Sequence, residues 1–336
     1  MTDTILVTGI SGFLGGHVAL ALLKAGYRVR GSLRNLDRAN AVSTTLGQHG
    51  ADTSMLEFVS LDLLQDDGWE MAAKDCRYIH HVASPFILNT PKDKDELIRP
   101  AVGGTERAIN AGLKAGAERI VLTSSMAAIM YGYPQGHIFS EEDWSRLDEA
   151  GAYVQSKTLA ERRAWEMVAA SGQRATLATI NPSVIYGPLL DNDPGTSGRL
   201  IQRLLTGSIP AAPRMIMPAV DVRDVAAAHM AAMTAPEAGG HRHATTAGNI
   251  SLMETAKALR AAFPAYAGKL PKFEMPDWAV RLYALVDRDA RDNLHELGPP
   301  REIDNTRIRK LLGRPLTPPA DAVIAMGQSL IDQKLV

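Results

Sequence analysis

The sequence has little or nothing of several features on which whole classes of protein depend. Its single cysteine, Cys76, in 336 residues excludes an internal disulfide framework and a cysteine-rich zinc site. Basic and acidic side chains nearly balance, with 36 Lys+Arg against 37 Asp+Glu and a net charge of −1. Because binding to nucleic-acid phosphates needs a cationic excess, we expect no nucleic-acid partner. The scarcity of cysteine favours a reducing, cytoplasmic setting.

Long hydrophobic segments of the kind that span a membrane are missing as well. Residues 4–23 carry no formal charge, but four glycines together with Thr8, Ser11 and His17 dilute their hydrophobicity. No basic segment precedes them and no small-residue cleavage site follows, so they do not resemble a targeting peptide. We interpret this stretch as a buried strand, a glycine turn and a helix, and we expect no membrane partner.

The first half of the chain alternates short β-branched runs with segments of helical spacing, a pattern typical of parallel βαβ units. The predicted strands are residues 4–8, 27–33, 55–61, 78–83 and 119–124, and the predicted helices are residues 15–25 and 102–115. Parallel strands are buried on both faces and are joined by right-handed crossovers. We therefore predict an α/β fold with a Rossmann-type doubly wound parallel sheet.

The pattern loosens in the second half of the chain. Six prolines between residues 182 and 218 interrupt regular structure. A strand-to-helix pattern returns at residues 221–233, and residues 252–262 have helical spacing. We predict a Rossmann domain over residues 1–182 and a smaller C-terminal substrate lobe over residues 183–336. Part of residues 221–250 is expected to return to the Rossmann domain.

Gly9, Gly12 and Gly15 form a GxxGxxG pattern directly after the first predicted strand. The spacing alone is a weak signal, and its position between a strand and a helix strengthens it. Glycine is needed where the turn takes a positive φ and where the backbone approaches a pyrophosphate. The helix that follows presents its first N–H groups to the anion. The pattern therefore predicts a dinucleotide site in the Rossmann domain.

The end of the second predicted strand favours NADPH over NADH. A residue that binds the adenosine ribose is expected about 20 residues after the last glycine, and in NAD enzymes it is usually acidic. Here the chain has Arg34 and then Arg38. A guanidinium can bind a 2′-phosphate through two hydrogen bonds. Asp37 lies slightly late for the acidic role and leaves NAD binding open.

Tyr153 and Lys157 are four residues apart, so they share one face if this segment is helical. A phenol titrates at about pH 10, and a neighbouring ammonium favours its phenolate form. Ser124 and Ser125 follow a predicted parallel strand, at the edge of the sheet where ligands bind. A serine hydroxyl can hold a substrate oxygen while the tyrosine exchanges its proton. Hydride passes directly between the cofactor and carbon, so we expect no metal.

Several motifs together resemble the extended short-chain dehydrogenase/reductases. They are TGxxGFLG at residues 8–15, HVASPF at 81–86, TSS at 123–125, YxxSKxxAExxAW at 153–165 and NPSVIYGP at 181–188. Within that family the chain is most similar to the dihydroflavonol reductase, cinnamoyl-CoA reductase and yeast aldehyde (methylglyoxal) reductase group. The resemblance implies that Ser125 is the catalytic serine and Tyr153 the proton donor in reduction. Lys157 would be the partner of Tyr153 and a ribose ligand.

The same resemblance implies which residues line the cofactor. Arg34 would hold the 2′-phosphate, and the loop after the third strand would flank the adenine. The implied cofactor-binding residues are Gly9, Gly12, Phe13, Leu14, Gly15, Arg34, Asp62, Leu63, Val82, Ala83, Ser84, Tyr153, Lys157, Pro182 and Val184.

The substrate pocket is expected to be apolar. Flavonoid reductases have an asparagine a few residues after the catalytic serine, whereas residues 126–130 here are apolar. We therefore expect an aryl or aliphatic apolar carbonyl compound rather than a polyhydroxylated flavonoid. The candidate pocket walls are Phe86, Met126, Tyr186 and Leu189.

The predicted function is an NADPH-dependent reductase of aldehydes or ketones that works as a monomer or a homodimer. Two alternatives stay open: an NAD-dependent sugar-nucleotide epimerase or dehydratase, and a non-enzymatic NADP sensor. Dehydratases commonly have an acid in place of Ser125, and sensors tend to lose Tyr153. His241 and His243 lack a partner at metal-ligand spacing. We interpret residues 141–143, Glu-Glu-Asp, as a solvated turn or the start of a helix.

Overall fold

The computed structural model describes residues 3–85, 93–148, 150–286, 291, 294 and 297–336. The strands in chain order are β1 (Thr4–Thr8), β2 (Arg28–Leu33), β3 (Leu56–Ser60), β4 (Cys76–His81), β5 (Arg119–Thr123), β6 (Ile138–Phe139), β7 (Leu177–Pro182), β8 (Val184–Tyr186), β9 (Ala212–Pro213), β10 (Ile216–Asp221), β11 (Arg242–Thr245), β12 (Gly248–Ser251), β13 (Glu274–Met275) and β14 (Glu302–Ile303).

The helices lie mostly between these strands. They are α1 (Phe13–Lys24), α2 (Ala39–Gln48), α3 (Trp69–Ala73), α4 (Asp95–Ala115), α5 (Ala152–Ala170), α6 (Gly195–Thr206), α7 (Val222–Thr234), α8 (Leu252–Ala262), α9 (Asp277–Tyr283), α10 (Thr306–Leu312) and α11 (Pro319–Asp332). Within the described ranges, no helix has both the length and the apolar character needed to cross a bilayer.

The predicted doubly wound sheet is confirmed. Seven strands form it in the order β11-β7-β5-β4-β1-β2-β3, and every neighbouring pair runs parallel. Both faces are covered, because Ile5 and Val7 pack in a core with α1 and α7 while Leu6 packs in another with α4 and α5. The strand order reverses between β1 and β4, and ligands bind such sheets in the crevice at that point.

A smaller layer lies beyond the carboxyl end of β7. Strands β12, β10 and β8 form a three-stranded sheet, which packs with α6, α8 and α11 around a separate apolar core. Strand β11 lies at the edge of the main sheet, paired with β7. The division of the chain into two domains at residue 182 stays a prediction.

Helix α4 begins at Asp95, seven residues before the predicted start at residue 102. The predicted helix excluded Pro100, and proline removes a backbone N–H and is usually confined to the first turn. In the structure Pro100 lies inside the helix, and Leu97 and Ala101 are both buried. The apolar stripe of the helix therefore starts before the proline and outweighs the lost hydrogen bond.

Candidate active site

The glycine loop lies at the switch point between β1 and β4 and is shaped by close backbone contacts. Gly9 has φ +69°, and a Cβ on it would lie 2.8 Å from Ala83 Cα. A Cβ on Gly15 would lie 2.1 Å from the carbonyl oxygen of Gly9. The chain itself therefore requires glycine at these two positions. A Cβ on Gly12 would meet its nearest neighbour at 3.4 Å, so the glycine there fits a loop that a ligand approaches closely.

Helix α1 starts directly behind this loop with its first N–H groups uncapped. Gly12 is the N-cap residue and provides no side-chain hydrogen bond, so no side chain of the cap competes for those donors. Phe13 packs edge-on against the His17 ring at 5.5 Å between centroids, and Leu14 is buried. The backbone of this first turn can therefore receive a pyrophosphate.

Thr8, at the end of β1, links the start of the glycine loop to the chain after β4 by hydrogen bonds. Its hydroxyl oxygen accepts from the backbone N–H groups of Val82 at 3.1 Å and Ala83 at 3.0 Å. It also lies 2.9 Å from Nδ1 of His81. Burial lowers the pKa of His81 to about 3, so its ring is neutral. Because the Thr8 oxygen already accepts two hydrogen bonds, we assign Nδ1 of His81 as the acceptor of the hydroxyl proton. Sequence reasoning did not assign this role to Thr8, although it is the first residue of the TGxxGFLG motif.

A cavity of about 340 Å³ opens at the end of β2. Arg34 is exposed in it, and no ion pair joins this side chain to a carboxylate in the described part of the chain. Asp37 is hydrogen bonded to Asn35 through both its backbone and its side chain. The cavity therefore presents cations without a competing acid. Its lining residues are Ser11, Leu33, Arg34, Asn35 and Arg38.

Asp62 and Leu63 lie in the turn after β3, beside the end of β2. The Asp62 carboxylate accepts from the backbone N–H of Leu64 at 2.8 Å. Leu63 packs so tightly against α4 that a Cβ on Gly104 would lie 2.5 Å from Leu63 Cδ2. These contacts fix the turn against α4, and the contact of Asp62 and Leu63 with adenine stays a prediction.

Tyr153 and Lys157 lie on α5, one helical turn apart. The Tyr153 side chain is 49% exposed, and the Lys157 Nζ atom is 5.9 Å from the centre of its ring. The same ammonium donates to Ser84 Oγ at 2.9 Å. No carboxylate of the described residues lies within ion-pair distance of it. Lys157 therefore connects the chain after β4 with the phenol.

Ser125 follows β5 and is only 9% exposed. Its Oγ accepts from the backbone N–H of Ala127 at 3.1 Å and so caps the short turn Met126–Ala128. Among the described residues, no acceptor takes the hydroxyl proton of Ser125. This proton is therefore available to a bound oxygen.

Ser124 has the opposite orientation, as neighbouring residues of extended chain do. Its hydroxyl donates to Glu161 Oε2 at 2.5 Å. A cavity of about 10 Å³ separates this serine from Lys157, which is space for about one water molecule.

Glu161 lies one turn after Lys157 on α5, and sequence reasoning did not single it out. Its carboxylate is buried and forms an ion pair with Arg242 at 2.6 Å. Burial by itself would raise the pKa of Glu161, but Arg242 and the hydrogen bonds from Ser124 and Asn181 hold that pKa below its ordinary value. Glu161 is therefore a charged carboxylate beneath the site. The signal available in the sequence is its place in the YxxSKxxAE segment.

The remaining residues of the predicted site are mostly packed in the interior. Pro182, at the end of β7, is buried, and Val184 is partly buried. Met126 packs with Ile129 and Phe139, whereas Tyr186 and Leu189 belong to the core of the smaller layer. Phe86 lies outside the described residues. The contact of these residues with cofactor or substrate stays a prediction.

The interpretation of residues 141–143 as a solvated turn is wrong for Glu141. This side chain is 6% exposed, and its Oε1 accepts from the backbone N–H of Ala244 at 3.2 Å. The edge strand β11 places Arg242 against the turn, where the guanidinium lies 3.7 Å from the centre of the Trp144 ring. The residues that bury Glu141 and its turn belong to β11, about 100 residues later in the chain. The local sequence therefore does not show that this turn is buried.

The chain is similar to known oxidoreductases. A profile of the NAD dependent epimerase/dehydratase family matches residues 5–248. Ketoreductase azaE of Aspergillus niger is 32% identical over 333 residues, which cover 93% of each chain. Cinnamoyl-CoA reductase 1 of Petunia hybrida is 34% identical over 245 residues, which cover 71% of each chain.

The fold agrees with a solved structure as well. Yeast methylglyoxal/isovaleraldehyde reductase Gre2, complexed with NADPH, has a TM-score of 0.81 and 25% identity over 99% of this chain and 100% of the yeast chain. The resemblance in the sequence motifs is thereby confirmed. The chain belongs to the NAD dependent epimerase/dehydratase family, the extended short-chain dehydrogenase/reductases.

Proposed function

We propose that this protein is an NADPH-dependent reductase that converts aldehydes or ketones to alcohols. The observation that carries the proposal is the position of the Lys157 ammonium. It donates to Ser84 at 2.9 Å and lies 5.9 Å from the ring of Tyr153. This arrangement connects the segment beside the glycine loop with an exposed phenol on the same helix face.

Two side chains act on the substrate oxygen in this proposal, and a third acts on the phenol. The Ser125 hydroxyl donates a hydrogen bond to the carbonyl oxygen, and Tyr153 transfers its phenolic proton to the same atom. The charge of Lys157 stabilises the phenolate that this transfer leaves. When bound, NADPH supplies the hydride to the carbonyl carbon. The half-exposed position of Tyr153 leaves its hydroxyl open to a substrate that enters from solvent.

NADPH is the cofactor because the residues fit it. The glycine loop and the uncapped N-terminus of α1 suit a pyrophosphate. The cavity at Arg34 and Arg38 suits the added 2′-phosphate. A relative, the methylglyoxal reductase of Saccharomyces cerevisiae, is NADPH-dependent by name and 29% identical over 80% of this chain. The chain is accordingly an NAD(P)H-dependent oxidoreductase acting on carbonyl and CH–OH groups.

The proposed substrates are apolar, with an aryl or a short aliphatic group beside the carbonyl. The turn that follows Ser125 consists of apolar residues, Met126–Ala128, and offers no side-chain partner to hydroxyl groups of a substrate. Relatives are named for the small carbonyl compounds methylglyoxal and isovaleraldehyde and for cinnamoyl-CoA, a thioester with an aryl acyl group. A polyhydroxylated compound would have to bury unpaired polar groups there.

The test is oxidation of NADPH, followed by absorbance, with a panel of aryl and aliphatic aldehydes and ketones. Tyr153→Phe should lower kcat by at least about 100-fold and leave the dissociation constant of NADPH largely unchanged, because the substitution removes only the phenolic hydroxyl group and keeps the ring. Tyr27→Phe is the matched control, since Tyr27 lies before β2 in the core with α1. Near-native turnover by Tyr153→Phe would refute the role of the phenol.

The same preparation distinguishes the rival epimerase or dehydratase function. Such enzymes keep NAD bound and recycle it within one reaction cycle. A purified protein that carries NAD and oxidises no NADPH with any carbonyl compound would overturn the proposed function.

A further inference from the structure

We propose that Glu161 is a positioning residue, which holds Ser125 at a fixed distance from Tyr153 through a buried charged network. The proposal rests on the proposed function only in treating Ser125 and Tyr153 as the reacting pair. Glu161 does not face the cleft. It acts through Ser124, Asn181 and Arg242, which come from three different strands or strand ends.

The Glu161 carboxylate receives hydrogen-bond donors on both oxygens. Oε2 is approached by Ser124 Oγ at 2.5 Å, Asn181 Nδ2 at 2.7 Å and the Arg242 guanidinium at 3.2 Å. Oε1 is approached by Trp165 Nε1 at 3.2 Å, Thr179 Oγ1 at 3.0 Å and Arg242 Nε at 2.6 Å. Six donors around one buried carboxylate leave it little freedom to move.

Two of these donors hold the backbone on either side of the Ser125 side chain. Ser124 is its neighbour in the chain, and its hydroxyl is bound to Oε2. Asn181 Nδ2 donates to Oε2 and also to the carbonyl oxygen of Ser125 at 3.3 Å. The peptide units before and after Ser125 Cα are therefore both connected to Glu161.

Glu161 also connects this strand end to the helix that carries the phenol. Tyr153, Lys157 and Glu161 follow one another at intervals of four residues on α5, so they form one stripe along the helix. The helix is thereby fixed to β5 through Ser124 and to β11 through Arg242. A shift of α5 along its axis would change the distance from Tyr153 to Ser125, and the buried ion pair opposes such a shift.

The charge is essential to this role. Arg242 is 7% exposed, and a buried guanidinium without its carboxylate is strongly unfavourable. Arg242 also donates to the backbone carbonyl oxygens of Glu141 at 2.9 Å and Asp143 at 2.5 Å. The ion pair therefore joins the helix, the edge strand and the turn at residues 141–143 in one network.

The substitution Glu161→Gln should disturb in particular the hydrogen bonds from Ser124 and Asn181, the two residues that hold the backbone at Ser125. A glutamine puts an NH2 group where one oxygen was, and three donors already face each oxygen. Of the three donors on the Oε1 side, Trp165 Nε1 and Arg242 Nε cannot accept a hydrogen bond, and Thr179 alone can turn its hydroxyl to accept. Of the three on the Oε2 side, the Arg242 guanidinium alone cannot accept, because Ser124 can turn its hydroxyl and Asn181 can turn its amide. The NH2 group is therefore expected beside Ser124 and Asn181, and these two residues must rearrange.

The experiment compares Glu161→Gln, Ser124→Ala and their double variant with the wild-type protein. Ser124→Ala removes one hydrogen bond to the carboxylate and keeps the Arg242 ion pair, so it should fold even where Glu161→Gln does not. The matched control is Asp224→Asn, because Asp224 is another buried carboxylate, bound to Arg314 at 2.6 Å and to Thr317 N, away from Ser125.

Two readouts are needed. The first is kcat for the reduction of a carbonyl substrate, expressed per NADPH-binding site. The second is hydrogen exchange of the Ala127 amide, which donates to Ser125 Oγ at 3.1 Å and so reports the position of that side chain without any turnover.

For Glu161→Gln and for Ser124→Ala we expect kcat to fall by about 10- to 100-fold, with KM and NADPH affinity nearly unchanged. Exchange at Ala127 should rise by about tenfold or more in both. The double variant should lose less than the product of the single losses, because both act through one hydrogen bond. Asp224→Asn should lower the melting temperature but leave kcat and Ala127 exchange at their wild-type values.

Unchanged Ala127 exchange in Ser124→Ala and Glu161→Gln would overturn the proposal, and so would losses of kcat that simply multiply in the double variant. A wild-type protein without reductase activity would instead refute the proposed function. The exchange measurement would still decide whether Glu161 holds Ser125 in place.

Discussion

Replacement of Arg34 by alanine should weaken the binding of NADPH and leave that of NADH almost unchanged. Arg34 is exposed at the end of β2, in the cavity of about 340 Å³ that it shares with Ser11 and Arg38. In the described structure no carboxylate neutralises it, so its full charge is available to a 2′-phosphate. NADH has a hydroxyl at that position and gains little from a guanidinium.

The magnitude follows from the number and exposure of the hydrogen bonds. Hydrogen bonds to charged groups contribute about 1.5–3 kcal/mol each, and each 1.4 kcal/mol corresponds to about tenfold in affinity. Because Arg34 is exposed and screened by water and salt, we expect the lower end, a loss of about tenfold in NADPH affinity. The loss should shrink as the salt concentration rises.

The assay is a fluorescence titration with NADPH and with NADH at low and at high salt. Arg28→Ala is the matched control, because Arg28 is an exposed arginine at the opposite end of the same strand. It removes the same charge from the protein without touching the cavity. Equal weakening of both cofactors by Arg34→Ala, or the same effect in Arg28→Ala, would refute a specific contact with the 2′-phosphate.

The glycine loop and the buried residue His17 provide two further predictions. Gly12→Ala should fold but lose NADPH binding. Gly15→Ala should lower the melting temperature, because its Cβ would lie 2.1 Å from the Gly9 carbonyl oxygen. Equal melting temperatures of the two variants would contradict this difference between the two glycines. Burial lowers the pKa of His17 from 6.5 to about 4, so the neutral ring contributes its full share to the free energy of unfolding above pH 6.5. This contribution is lost as the pH falls towards 4, and the loss reaches about 2 kcal/mol by pH 5. In His17→Gln the amide can still donate to Pro188 O but does not titrate. The melting temperature should therefore fall less between pH 7 and pH 5 in this variant than in the wild-type protein. Equal falls in melting temperature would contradict the titration of His17.

The fold could be predicted because its signal is local and periodic. The side chains of β1 alternate between the two faces, with Ile5 and Val7 in one core and Leu6 in the other, and this pattern is visible in the sequence. Helix α8 has the predicted bounds of residues 252–262. The prediction was less accurate where tertiary packing outweighs local preference, as at Pro100 inside α4. The orientation of the Ser124 hydroxyl also depends on tertiary partners and could not be predicted.

Glu161 shows why part of the site could not be predicted from sequence patterns. Val154, Trp165 and Val168 are buried on the same helix, and the helical period places residue 161 on that buried face as well. A glutamate at such a position must have a cationic partner, because an unpaired buried charge is strongly unfavourable. The sequence therefore shows that a partner is required. It does not show that the partner is Arg242, 81 residues later, because only the sheet brings β11 beside β7.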